Sequence, residues 1–164
     1  MEDLLKRIVA FVIFVLAQVV IFSRIHLFGV ATPLLFVYFI LQIPLDYPRW
    51  GTIMWGFLMG LIIDIFTNTP GVASASLTII GLIQPYLLYV FYPKDANDGR
   101  NPSVRSMPVL NYVLYASSAV FIFCLLFFTF ESFNLFNFVD WILRIVTSWL
   151  VTMVFILVFE NFKR

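Results

Sequence analysis

Apolar residues in this chain fall in long unbroken runs. Leu34 to Leu41 and Phe121 to Phe128 are continuously apolar, the pattern of helices embedded in lipid, whereas membrane barrel strands alternate with period two. Charges mark the limits of the runs, because a charge at the bilayer centre costs several kcal/mol. The charge-free stretches are 8–23, 25–45, 50–63, 65–93, 106–130 and 145–159. A crossing needs about 20 residues, with roughly 17–25 tolerated, so the third stretch extends past Asp64 and the last past Arg144. The 65–93 stretch is too long for one helix, and Thr67-Asn68-Thr69-Pro70-Gly71 divides it with turn formers. The pattern predicts six spans at roughly 5–22, 27–43, 50–66, 72–92, 108–130 and 138–159. The expected fold is an all-α integral membrane protein, a six-transmembrane-helix bundle forming a single transmembrane domain over 1–164.

Composition narrows the function classes. Of the 164 residues, 62% are in the AVILMFWYC set and 12% are charged, against about 45–50% apolar and 25% charged in soluble domains. Twenty phenylalanines would have to face water on a soluble domain of this size, so lipid is the solvent. The net charge of +1 offers no basic field for nucleic acid. Cys124 is the only cysteine and sits in an apolar run, which suits a small buried hydrophobe and precludes an internal disulfide. With His26 the only histidine, there is no His/Cys metal cluster and no histidine base beside a nucleophile. No phosphate-cradling loop or paired carboxylates stand out, so the expectation is a non-enzyme with no cofactor. The basic start at Lys6-Arg7 precedes an apolar stretch but lacks a small-x-small cleavage site, and is read as an uncleaved first span.

Six spans place Lys6, Arg7, Arg49, Lys94, Arg100, Arg105, Lys163 and Arg164 on one side and Arg24 on the other. The positive-inside rule then puts both termini in the cytoplasm. Tyr47, Trp50, Tyr89 and Tyr92 fall near the inner boundary and Trp141 near the outer one. The polar stretch 93–106 reads as a solvated connector, with a docking surface for a cytosolic partner as the second possibility. His26 and Arg24 read as a solvated interfacial pair.

Polar residues inside spans are functional candidates, because lipid penalises them unless protein or water compensates. Asp64 and Arg144 lie at similar depth near the outer ends of spans three and six, so an Asp64–Arg144 pair is geometrically allowed. Asp64 bonding the Thr67-Asn68-Thr69 turn, with Arg144 paired to Asp140 four residues earlier, is the local alternative. Asp140, Arg144, Ser148 and Thr152 form a stripe at helical spacing that should face protein. Gly56 and Gly60, continued by Asp64, give span three a small-residue row for close helix approach, either within the bundle or against a partner. Ser74, Thr78, Gly81 and Pro85 give span four a matching face, and spans three and four are expected to pack as a hairpin. Gln84 is a candidate for a helix-to-helix hydrogen bond, with lining a cavity as the second possibility.

The segment Gly60-Leu61-Ile62-Ile63-Asp64-Ile65-Phe66, followed by Thr67-Asn68-Thr69-Pro70-Gly71-Val72 and a small-residue start through Ser76 to Gly81, resembles the bacterial rod shape-determining MreD family. That family has members of about this length, with a Gly-x-x-x-Asp element before a proline- or glycine-bearing turn. The likeness spans the chain in size and hydropathy, and its specific residues lie in about 56–81. The resemblance implies a non-enzymatic subunit of the cell-elongation, peptidoglycan-building machinery of the bacterial cytoplasmic membrane. Its implied partners are MreC and, indirectly, MreB, RodA and its transpeptidase. The candidate helix-packing or partner interface is Gly56, Gly60, Asp64, Pro70, Gly71, Ser74 and Gly81, and the resemblance implies a fold similar to the six-helix substrate-binding subunits of energy-coupling factor transporters. Such a vitamin-binding subunit is the alternative reading. It would call for small residues four apart on span one, where this chain has Ala10 and Ala17 seven apart.

Overall fold

The computed structural model describes residues 2–21, 33–92, 102, 107–132 and 138–162. Regular structure among the described residues is entirely helical. Helix α1 (Glu2–Leu16) continues as a π-helical turn, Ala17–Ile21, and α2 (Val37–Leu41) is a short buried piece. Helices α3 (Arg49–Thr67), α4 (Val72–Phe91), α5 (Val109–Glu131) and α6 (Phe138–Phe162) are each long and apolar enough to cross a membrane. Their starts have local causes. Pro48 and Pro108 occupy the position before α3 and α5 with extended ψ of 133° and 136°, and a proline there gives up an N–H that no helical carbonyl could take.

The most extensive helix pair is α3 with α4, followed by α4 with α5 and α5 with α6. Around this frame the outward faces are apolar and exposed, as at Ile65, Leu82, Leu150 and Val154, which is what a lipid solvent permits. The centre is filled by the segment around α2. Every residue from Leu34 to Leu41 is at most 4% exposed. Phe36 meets Phe123 of α5 edge-to-face at 5.4 Å, and Phe39 packs with Phe11 and Trp55 at centroid distances of 5.7 and 5.8 Å.

That central segment corrects the expectation of a continuous second span over 27–43. Within its described part, 33–43, only Val37–Leu41 is α-helical. Pro33 to Phe36 precede the helix without α-helical bonding and Ile43-Pro44 follow it in a bend. A run of apolar residues cannot reveal such a break, because apolar character is the same for a spanning helix and for an irregular piece enclosed by protein. Arg24 and His26 lie outside the described residues, as do all of the 93–106 connector except Pro102 and the first part of span two.

Candidate functional site

The best-defined site is the turn joining α3 to α4. Helix α3 ends where Asn68 takes left-handed angles (φ 56°, ψ 38°) and donates its backbone N–H to the Asp64 carbonyl, a conformation asparagine adopts more readily than most residues. The chain reverses through Thr69 and Pro70 to Gly71, which precedes α4 with φ 86°. A helix normally has its first free N–H groups met by the side chain at this position, and glycine has none. Asp64, one turn back on α3, supplies the missing acceptor. Its Oδ1 accepts from the Ala73 N–H at 2.8 Å and from the Thr69 hydroxyl at 3.0 Å, and its Oδ2 accepts from the Ser74 N–H at 2.9 Å. The carboxylate is 6% exposed, and its charge lies against the positive end of the α4 dipole.

The glycine row makes that reach possible. A Cβ on Gly60 would stand 2.3 Å from Ser74 Cα, and one on Gly56 would stand 2.7 Å from the Leu77 carbonyl oxygen. Gly81 of α4 returns the contact, 3.1 Å from the Thr52 carbonyl oxygen. Gly56, Gly60, Asp64, Ser74 and Gly81 therefore belong to one internal hairpin seam. Pro70 and Gly71 are exposed at its tip. Beside the turn an open cleft of about 370 Å³ is lined by Leu61, Asp64, Ile65, Asn68, Pro70, Gly71 and Ser74.

A second group of polar side chains surrounds the broken segment. Irregular backbone at membrane depth is tolerated only where protein or enclosed water satisfies it, and here four helices do so. Gln18 Nε2 donates to the Pro33 carbonyl at 3.1 Å, and the Leu34 N–H donates to Thr152 Oγ1 at 3.1 Å. Past α2, the Ile43 carbonyl accepts from Gln84 Nε2 at 2.9 Å and the Leu41 carbonyl from the Tyr115 hydroxyl at 3.1 Å. Gln84 also donates to the Tyr115 oxygen at 3.1 Å. Glu160, 5% exposed near the end of α6, accepts from the Tyr38 hydroxyl and, at 3.4 Å, from that of Tyr112.

The Asp64–Arg144 pair does not form. Both carboxylate oxygens of Asp64 are engaged within the hairpin, and Arg144 is exposed on α6. The expected stripe on span six divides for the same reason: Ser148 and Thr152 are buried, while Asp140 and Arg144 face outward, with no ion pair between them. The inward row instead continues through Ile156 to Glu160. Glu160 escaped sequence reasoning because it bounds the charge-free run 145–159 and read as a flanking charge. Its place four residues after Ile156 and eight after Thr152 is the signal that would have continued the inward row to it. Comparison of the chain with protein-family models, with curated proteins and with solved structures returns no match.

Proposed function

We propose that this chain is a non-enzymatic membrane subunit of the bacterial cell-elongation machinery, of the MreD type, that binds and organises partner membrane proteins such as MreC. It would act in the cytoplasmic membrane with six spans and both termini in the cytoplasm, as the distribution of lysine and arginine favours. The observation that supports this reading best is the hairpin. The residues that carry the family resemblance, Gly60, Asp64 and the Thr67–Gly71 turn, meet in one structural unit, where Asp64 caps the helix that follows. The buried polar side chains point the same way. Asp64, Gln84 and Tyr115 direct their hydrogen bonds to backbone of this chain, an arrangement suited to holding a fixed surface for other proteins. A rigid bundle of this kind would recognise a partner helix through van der Waals packing, with intramembrane hydrogen bonds adding about 1 kcal/mol each.

The cleft beside Asp64 favours one alternative, a small-molecule-binding subunit of an energy-coupling factor transporter. A bound solute there would have to share a carboxylate already bonded to two backbone N–H groups. Mild solubilisation from the native membrane separates the two readings. Recovery of a single-span membrane partner without a retained small molecule is the expected result. A retained solute with no membrane partner would overturn the assignment.

A further inference from the structure

Two charges on α6 form no ion pair with each other or with any other described residue. Asp140 and Arg144 are one turn apart on the same face and both exposed. Helix α6 has 25 residues, which at ~1.5 Å each is about 37 Å, longer than a hydrocarbon core of about 30 Å. A centred helix therefore projects roughly 3–4 Å at each end. Asp140 begins about 3 Å from the first residue and so lies at the boundary. Arg144, about 9 Å in, starts roughly 5 Å inside the hydrocarbon. Arg144 is itself exposed and flanks the face that carries the exposed apolar Val139, Leu143 and Val146, so it borders acyl chains, and a guanidinium at that depth extends toward the boundary, where phosphates lie.

The vertical order of the two charges identifies the ligand. The cation is the deeper group and the anion the shallower. In a phosphoethanolamine lipid the phosphate sits next to the glycerol and the protonated amine lies beyond it, toward water. We propose that Asp140 and Arg144 form a headgroup site for such a lipid, with Arg144 donating to the phosphate and Asp140 accepting from the ammonium N–H groups. A phosphocholine headgroup has no N–H to donate. A phosphoglycerol headgroup leaves Asp140 near an uncompensated negative charge. A carboxylate on a neighbouring protein helix would answer Arg144 alone, whereas one lipid answers both residues. This site is independent of the elongation role.

Native mass spectrometry of the purified full chain tests the proposal after exchange into micelles with equimolar phosphatidylethanolamine, phosphatidylglycerol and phosphatidylcholine. The expected result is a several-fold preference for retained phosphatidylethanolamine. Arg144→Gln should reduce retention of all three lipids, Arg144→Lys should restore part of it, and Asp140→Asn, which keeps one acceptor oxygen without the charge, should lower the preference for phosphatidylethanolamine over phosphatidylcholine. Both neutralising variants should keep the parent thermal midpoint, because neither side chain is buried. Equal retention of the three lipids, a preference for phosphatidylglycerol, or an Asp140→Asn variant with its preference intact would overturn the proposal. So would an Arg144→Gln variant that keeps its lipid but loses a co-purifying membrane protein.

Discussion

Replacing Asp64 by leucine removes the acceptor for two backbone N–H groups at the start of α4, Ala73 at 2.8 Å and Ser74 at 2.9 Å. Neither donor has another partner within reach of the helix's own ladder, because the first turn of a helix has no preceding carbonyls. A buried donor left unsatisfied costs roughly 1–3 kcal/mol, so the pair costs about 2–6 kcal/mol. Hydrogen bonds within membrane bundles average nearer 0.6 kcal/mol, which draws the expectation to the low end, about 2–3 kcal/mol. The Thr69 hydroxyl adds little, since it is only partly buried and can rotate. Asp64→Asn keeps one acceptor oxygen and turns an N–H toward the second donor, so it should lose about half as much. The assay is titration with SDS in mixed micelles, following the fluorescence of the four tryptophans. The order parent, Asn, Leu in midpoint detergent fraction is expected. If Asn and Leu variants unfold together, or both unfold with the parent, the capping account is wrong.

Other substitutions probe the remaining contacts. Gly60→Ala places a methyl 2.3 Å from Ser74 Cα and should cost about 1–3 kcal/mol as an overpacked seam. Gly81→Ala would bring its methyl 3.1 Å from the Thr52 carbonyl oxygen and should cost clearly less than Gly60→Ala; a loss in thermal midpoint at Gly81 equal to or larger than that at Gly60 would refute this reading of the seam. Gly71→Ala has open space but φ 86°, so a loss of about 1–2 kcal/mol is expected from the left-handed backbone alone. Glu160→Leu removes the acceptor of the Tyr38 hydroxyl, which keeps Gln42 and Tyr112 as neighbours, so a total loss of about 1–3 kcal/mol is expected, whereas Glu160→Gln retains an acceptor and should fall between Leu and the parent in the same SDS titration. A double-mutant cycle on Asp64→Leu and Arg144→Leu should show coupling below about 0.5 kcal/mol; a coupling above 1 kcal/mol would restore the ion pair that the structure lacks.

Much of the architecture is legible before any folding. Long charge-free runs require lipid, and charges and turn formers locate the four long helices to within a few residues, because a bilayer charges a steep free-energy penalty for a misplaced ion or an open backbone group. The small-residue row of Gly56 and Gly60 is visible for a similar reason, since helix spacing is periodic. Which neighbour fills that row is not periodic. Ser74 and Leu77 lie opposite it only because the turn at Asn68 and Gly71 folds α4 back in one register. Tertiary structure also decides the fate of the charges. Asp64 faces two N–H groups and so cannot face Arg144, and Glu160 reaches inward to Tyr38 while Arg144, on the same helix, faces out. The break around α2 belongs to the same class: its carbonyls at Leu41 and Ile43 are met by Tyr115 and Gln84, residues 74 and 41 positions away. Local pattern sets what each segment can be in lipid. Partners that distant in the chain are chosen by the packing of the whole bundle.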